Sequence, residues 1–404
     1  MTALIANDGV DSLPSRQGGN MSRAMNILVL QGGGALGAYQ AGVYQALHEA
    51  SIEPDWVVGT SVGAINGALI AGNRREDSLA RLTAFWTRIA QPGYSQGAAL
   101  ADYEARTAKF MALASGVPGF FRPRPPWLIP YTHNLWDVPP SFYDTAPLRE
   151  TLEELVDFER LGTRDLHDGT RLSVGTVNIA KGAMRYFDSQ YDTLQSAHIL
   201  ASGALPPGFP PVWIDGEAYW DGGLCSNTPM DYVVESERPG SDMPINCYVV
   251  DLWSSEGPVP ETIADAMLRE KDIQYSTRAG HNLHFLKELN RQRQAIKTLG
   301  RHLTEEARQR PEIQQLLEQT QRSPVNIVRL LAPVRERETA QKDIDFSYAT
   351  IMERWRMGLR DMTRALEICP CRRDPVSDDI GANVCSYRSR QDGELEDMTD
   401  ASYV

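Results

Sequence analysis

The stretch from Met25 to Gly72 constrains the fold more than any other part of the chain. Asn26–Leu30 is a short apolar run rich in strand formers, followed directly by Gln31-Gly32-Gly33-Gly34-Ala35-Leu36-Gly37. Ala38 to Ala50 carries Val43, Leu47 and Ala50 at helical spacing, and Trp56-Val57-Val58 reads as a second strand. That strand runs into Gly59-Thr60-Ser61-Val62-Gly63, and Val62 to Ala71 continues as a helix of small residues. Two loops therefore open two helices at the carboxyl ends of two strands, where open α/β sheets place their sites.

Gly-x-Ser-x-Gly between a strand and a helix is the pattern of a nucleophile elbow, in which Gly59 and Gly63 permit the turn and leave the Ser61 hydroxyl exposed. The neighbouring helix N-terminus favours developing negative charge. The glycine loop has two readings. Gly32-x-Gly34-x-x-Gly37 matches the dinucleotide fingerprint, which also requires an acid at the end of the second strand. Asp55 has nearly the right spacing but precedes that strand. The other reading is an oxyanion hole built from the N–H groups of Gly32, Gly33 and Gly34, which needs a nucleophile alongside.

Ser61 needs a base. His48 lies late in a helix, His198 sits in a helical stretch (Thr193 to Ala204), His133 and His167 are in loops, and His281, His284 and His302 fall in a late helical region. Each reads better as a surface or satisfied histidine than as a partner for Ser61. Asp221, in Tyr219-Trp220-Asp221-Gly222-Gly223, is the stronger candidate because its two glycines allow a tight turn that presents the carboxylate. An ordinary Asp-Gly turn is the competing reading, and it suffices for Asp168-Gly169 and Asp215-Gly216.

Taken together, Gly32-Gly33-Gly34-Ala35-Leu36-Gly37, Gly59-Thr60-Ser61-Val62-Gly63 and Asp221-Gly222-Gly223 resemble the three signatures of patatin-like phospholipases, over about Asn26 to Leu252. The resemblance implies a three-layer α/β/α hydrolase core. It also implies a Ser-Asp dyad without histidine, metal or cofactor, with Ser61 as nucleophile, Asp221 as base and the Gly32–Gly34 loop as oxyanion hole. Its substrate would be a lipid or another acyl ester, cleaved in the manner of a phospholipase A. Leu36 stands where the family's loop commonly carries Arg or Lys, so a positive charge near the loop is lost. An esterase, thioesterase or polyester depolymerase with the same dyad is the nearest alternative. A dinucleotide-binding oxidoreductase and a non-catalytic membrane-associated scaffold are the alternatives of other classes.

Composition places limits on the rest. Hydrophobic residues make up 42% and charged residues 23% of the 404, as in globular proteins, and no apolar run approaches membrane-spanning length. The net charge of −13 gives no support for nucleic-acid binding. Five cysteines, an odd number, argue against a disulfide framework, and Cys369, Cys371 and Cys385 lack a fourth metal ligand at suitable spacing. Residues 1–24 have neither the basic start nor the apolar core of a signal peptide, so a flexible leader and a cytoplasmic location, peripheral to a membrane at most, are expected.

Along the chain the expected divisions are a catalytic core at 25–257, a mostly helical extension with one late strand (Val325 to Leu331) at 258–370, and an acidic disordered tail at 371–404. Arg74 to Ala90, Ala101 to Ala114, Pro147 to Phe158 with Thr145 as cap, Glu261 to Leu299, Glu305 to Gln319 and Asp345 to Ile368 read as helices. Arg171 to Ala180 and Met184 to Phe187 read as a hairpin, and Ile245 to Leu252 as a buried strand. Ser115 to Pro147 is rich in proline and aromatics and cannot be one regular element. It reads either as an irregular packed layer or as a lid or acyl-site wall, with Phe120, Phe121, Trp127, Tyr131 and Trp136 as candidates. Lys287, Arg291, Arg293, Lys297 and Arg301 form a basic segment, readable as a solvated face or as peripheral contact with an acidic membrane. No internal repeat is evident, and nothing sets an oligomeric state.

Overall fold

A computed structural model describes residues 24–91, 110–131, 133, 137–162, 169–236, 243–320, 325–333, 341–369, 382–390 and 393–399. The amino-terminal half runs β1 (Met25–Leu30), α1 (Ala38–Glu49), β2 (Trp56–Thr60), α2 (Val62–Ala71) and α3 (Arg75–Ile89), then a two-residue pairing of β3 (Arg122–Pro123) with β4 (Tyr143–Asp144). It continues with α4 (Ala146–Leu155), β5 (Arg171–Asn178), β6 (Ala183–Asp188), α5 (Ser196–Ser202), β7 (Val212–Ile214) and β8 (Glu217–Asp221). The remainder holds α6 (Met230–Ser236), β9 (Ile245–Asp251), α7 (Ile263–Arg301), β10 (Val325–Leu331), α8 (Tyr348–Ile368), β11 (Ala382–Ser389) and β12 (Leu395–Asp397).

Ten strands form one sheet in the order β12-β11-β10-β9-β1-β2-β5-β8-β7, with β6 on the free edge of β5. From β11 to β5 every pairing is parallel. Successive side chains of a strand point to opposite faces, and here both faces are covered. Leu28, Leu30, Val57, Leu172, Val250 and Leu330 pack with α1, α2, α3 and α8 in the larger core. Ile27, Val29, Trp56, Val58, Val249 and Ile327 pack on the other face with Met230 and Val233 of α6. The result is a three-layer α/β/α core. Helices α1 and α8 approach closely because each puts a glycine at the crossing. A Cβ on Gly42 would fall 1.9 Å from the Trp355 carbonyl oxygen, and one on Gly358 would fall 2.0 Å from that of Tyr39.

The residues after 257 depart from expectation. Strand β10 lies where it was expected but pairs with β9 along its whole length, so the sheet crosses the supposed boundary. The acidic segment expected to be disordered contains β11, which extends the parallel sheet, and β12, which closes that edge. Composition misled here because the tail's acids lie outside β11, whose Val384 and Tyr387 are strand formers. The helix expected from Glu305 to Gln319 is two, Glu305–Arg308 and Pro311–Glu318. Pro311 pushes Arg310 into extended geometry and can only begin a new helix. Thr145 occupies the cap position of α4 without capping through its side chain; the Asp144 carboxylate accepts from the Ala146 N–H instead. Of the helix expected at Ala101 to Ala114, only residues from 110 are described, and they are helical to 115.

A repeat that sequence inspection passes over becomes visible in the sheet. Asn26, Asn246, Asn326 and Asn383 are each the second residue of their strand and pair in register. Asn246 donates to Asn26, Asn326 to Asn246 and Asn383 to Asn326, at 3.2, 3.1 and 3.4 Å, and Asn26 donates to the Glu53 carbonyl at 3.2 Å. This half-buried amide ladder ties the late strands to β1.

Candidate active site

Ser61 lies between β2 and α2 with φ 56° and ψ −123°, a conformation that L-residues rarely adopt and that persists only when its surroundings enforce it. The two glycines around it are demanded by close backbone crossings. A Cβ at Gly59 would sit 2.3 Å from the Gly63 carbonyl oxygen, and one at Gly63 would sit 2.3 Å from that of Leu30.

Asp221 reaches Ser61 because β5 changes partner. β2 pairs with β5 up to Thr60 and Gly175, and β8 takes over the same edge with Asp221 opposite Thr176. The Asp221 side chain is buried. It accepts the Gly223 N–H at 2.7 Å and lines the same cavity as Ser61. Burial pushes its pKa up to about 7, against the lowering effect of the Gly223 N–H and the Ser61 hydroxyl. Gly222 is required by crowding, since a Cβ there would lie 2.4 Å from the Gly175 carbonyl oxygen.

The glycine loop lies beside Ser61 but its three N–H groups are not equivalent. Gly32 was expected to be a donor; its N–H is already given to the Asn227 carbonyl at 3.2 Å. Among the described residues Gly33 and Gly34 donate to no acceptor, and both line the cavity at Ser61. Gly34 has φ +54°, and a Cβ there would meet the Asp343 carbonyl oxygen at 2.3 Å. The loop is fixed from behind by Gln31, whose side chain accepts from the N–H groups of Leu252 and Trp253 and donates to the Tyr275 carbonyl. Asn227 and Trp253 both donate to the Gly32 carbonyl.

Ser61, Asp221 and the three glycines open into a cavity of about 290 Å³. Much of its lining is apolar and aromatic, with Phe120 and Phe121 in ring contact with each other and each with Phe209 and Phe346. Asn227, Trp253, Tyr275 and Asp343 also line it. The candidates from the proline-rich segment thus separate. Phe120 and Phe121 are buried in the wall, whereas Trp127 and Tyr131 are exposed and outside the lining. Trp136 lies outside the described residues.

No histidine is among the described residues lining this cavity. His48 pairs with Glu53, and the His198 ring accepts the Gln195 N–H at the start of α5. Asp55 accepts from the Asn26 N–H at the amino ends of β1 and β2, the far end of the sheet from the glycine loop. Among the described residues no cluster of three or more His, Cys, Asp or Glu could hold a metal ion.

A family model described as patatin-like phospholipase matches residues 28–234, and a second, described as patatin phospholipase, matches residues 273–378. The chain belongs to the patatin-like phospholipase family. Lysophospholipase nte1 of Aspergillus terreus is 27% identical over 241 residues, covering 59% of this chain and 13% of that relative. The Aspergillus niger lysophospholipase nte1 is 26% identical over 59% of this chain and 12% of its own length, so the chain spans a small part of either relative. The crystal structure of VipD from Legionella pneumophila overlaps 82% of this chain and 66% of that one, at 16% identity and a TM-score of 0.34. An overlap that loose adds nothing to the sheet topology described above.

Family signatures in the sequence mark Ser61, Asp221 and the loop, but they do not reach the wall supplied after residue 252. Tyr275 of α7 and Asp343, Ile344 and Phe346 before α8 complete the cavity. They are held in place by two crossed ion pairs, Lys271 with Asp343 at 2.9 Å and Lys342 with Asp272 at 2.8 Å. The only sequence trace of this clasp is a repeated Lys-Asp dipeptide, 271–272 and 342–343.

Proposed function

We propose that this chain is a serine acyl-ester hydrolase acting on lipids, with Ser61 and Asp221 as its dyad. The observation that carries the reading is the Ser61 side chain, on a strained elbow, lining an apolar cavity together with the buried Asp221 carboxylate. Ionised Asp221 takes the hydroxyl proton as the Ser61 oxygen attacks the ester carbonyl carbon. The carbonyl oxygen becomes an oxyanion, which the Gly33 and Gly34 N–H groups, without acceptors among the described residues, would receive. The tetrahedral species collapses to acyl-Ser61, and protonated Asp221 returns its proton to the departing alcohol. Water then gives a proton to Asp221 and attacks the acyl carbonyl; collapse breaks the bond to the Ser61 oxygen, which takes the proton back from Asp221, and the acid is released.

The aromatic wall suits an acyl chain, while Asn227, Tyr275 and Asp343 face the polar part of the ester. The lysophospholipase names of the curated relatives point to the same substrate class. No helix among the described residues is long and apolar enough to cross a membrane. Exposed Trp127 and Tyr131 would instead make the peripheral contact with a lipid surface.

Esters of graded chain length provide the test. Turnover is expected to rise with chain length, to vanish in Ser61→Ala, and to be matched by labelling of Ser61 alone with a fluorophosphonate. Phe121→Ala should lose activity on long chains most, and Trp127→Ala only on vesicle substrates. Robust turnover by Ser61→Ala would remove the proposal.

A further inference from the structure

The β2–β5 ladder opens where the dyad is assembled. After Thr60 and Gly175 the next rung is not a direct backbone bond. The Ser61 N–H donates to the Ser202 hydroxyl oxygen at 3.0 Å, and that hydroxyl donates its proton to the Gly175 carbonyl at 2.7 Å. A side chain from the end of α5 is inserted between the two strands, and it is wholly buried. Two residues later the Ala204 carbonyl accepts the Asp221 N–H at 3.0 Å. The backbones of both proposed dyad members therefore hang from one three-residue segment.

We propose that Ser202–Gly203–Ala204 is a common mount that sets Ser61 against Asp221, with Ser202 as its positioning residue; the catalytic consequence rests on the hydrolase reading above. Ser61 has left-handed backbone angles and opens α2, so its N–H has no partner within its own elements. Without the Ser202 oxygen that half-buried N–H would be orphaned on a strained residue. Because the Ser202 proton is committed to Gly175, Ser202 is neither a base nor a second nucleophile. Ala204 acts through its carbonyl, which side-chain substitution leaves in place, so Ser202 is the testable half. The same stretch shapes the substrate cavity, since Leu200, Gly203 and Leu205 line it.

The comparison that isolates positioning uses Ser173, an equally buried serine of β5 whose hydroxyl is tied to Trp56 and Asp188 rather than to either proposed dyad residue. Its hydroxyl accepts the Trp56 indole N–H at 2.7 Å and donates to Asp188 at 2.6 Å. In the full chain, kcat and KM on a medium-chain ester, the rate of fluorophosphonate labelling at Ser61 and amide hydrogen exchange at Ser61 would be measured for each variant. Ser202→Ala should lower kcat and labelling about a hundredfold with KM nearly unchanged, the loss typical of a small misplacement, and should speed exchange of the Ser61 amide. Ser202→Cys, similar in size but a weaker hydrogen-bonding group, should lie between. Ser173→Ala should lower the thermal midpoint while leaving kcat and Ser61 labelling near wild type.

Unchanged kcat, labelling and Ser61 exchange in Ser202→Ala would overturn the mount. An equal fall of kcat in Ser173→Ala at matched stability loss would overturn it as well. If Ser202→Ala does not fold, wild-type kcat and exchange in Ser202→Cys would have the same force. A wild-type protein that neither hydrolyses esters nor labels at Ser61 would sink the hydrolase reading alone. Amide exchange would still decide the mount, with unchanged protection of Ser61 in Ser202→Ala counting against it.

Discussion

Asp221 carries opposed demands, since the low-dielectric cavity that shields it also disfavours its charge. With the pKa held at about 7, the proposed base is protonated in acid and ionised above neutrality. Ester hydrolysis should therefore rise with pH along a single titration with a midpoint near 7, measured as kcat/KM in the absence of membranes. Stability moves the other way. A carboxyl whose folded pKa lies above its unfolded value makes the fold progressively less stable as pH climbs from the ordinary carboxylate range to about 7. Asp221→Asn should thus be inactive yet more heat-stable than wild type at pH 8. The advantage, on the order of a few kcal/mol at most, should shrink toward pH 4; thermal unfolding at the two pH values checks it. In the glycine loop, Gly34→Ala should be the more damaging change, cutting kcat by about a hundred- to a thousandfold. Its Cβ meets the Asp343 backbone at positive φ, whereas a Cβ at Gly33 meets chiefly the end of the Leu252 side chain, 2.8 Å away.

Among elements, those with purely local causes were legible. β1, the elbow and α2 follow from apolar runs punctuated by glycines, and α1 and α3 from their apolar spacing. Cooperative features between elements were not. The asparagine ladder is a register device: an amide at the same position of each strand rewards only one alignment of β1, β9, β10 and β11. Asn246 sits inside the ladder, donating to one neighbour and accepting from the other. Asn246→Leu should cost about 1–3 kcal/mol, because it removes the donor to the Asn26 side-chain oxygen and the acceptor of the Asn326 amide N–H. Urea unfolding should show a lowered midpoint with activity per folded molecule unchanged.

At the scale of the whole molecule, the candidate site belongs to nearly the full length of the chain. Its proposed nucleophile and loop come from residues 32–61, further lining from 112–148 and 200–209, the proposed base from β8, and the rest of the lining from 223–346. A fragment covering residues 25–257 would expose the edge of β9, strip α8 from α1 and leave the cavity open beside Gly34. Such a fragment should fail to give a soluble, cooperatively unfolding protein, as size-exclusion chromatography and thermal circular dichroism would reveal. A stable, active 25–257 fragment would contradict the architecture described here.

The sequence alone determined the local backbone demands of the site. Glycines at 59, 63 and 222 are needed because backbones pass within van der Waals contact there, and the Gly-x-Ser-x-Gly and Asp-Gly-Gly patterns record that need letter by letter. Tertiary structure decided what depends on distant partners. It occupied the Gly32 N–H with Asn227, placed β10 and β11 inside the sheet, moved Trp127 away from the cavity and brought Tyr275 and Asp343 to it. Turn chemistry is set by neighbours in the chain and leaves a local signature. The use of a hydrogen bond, the exposure of a ring and the pKa of a carboxyl are set by whatever the fold packs against them, and a linear pattern carries no trace of that.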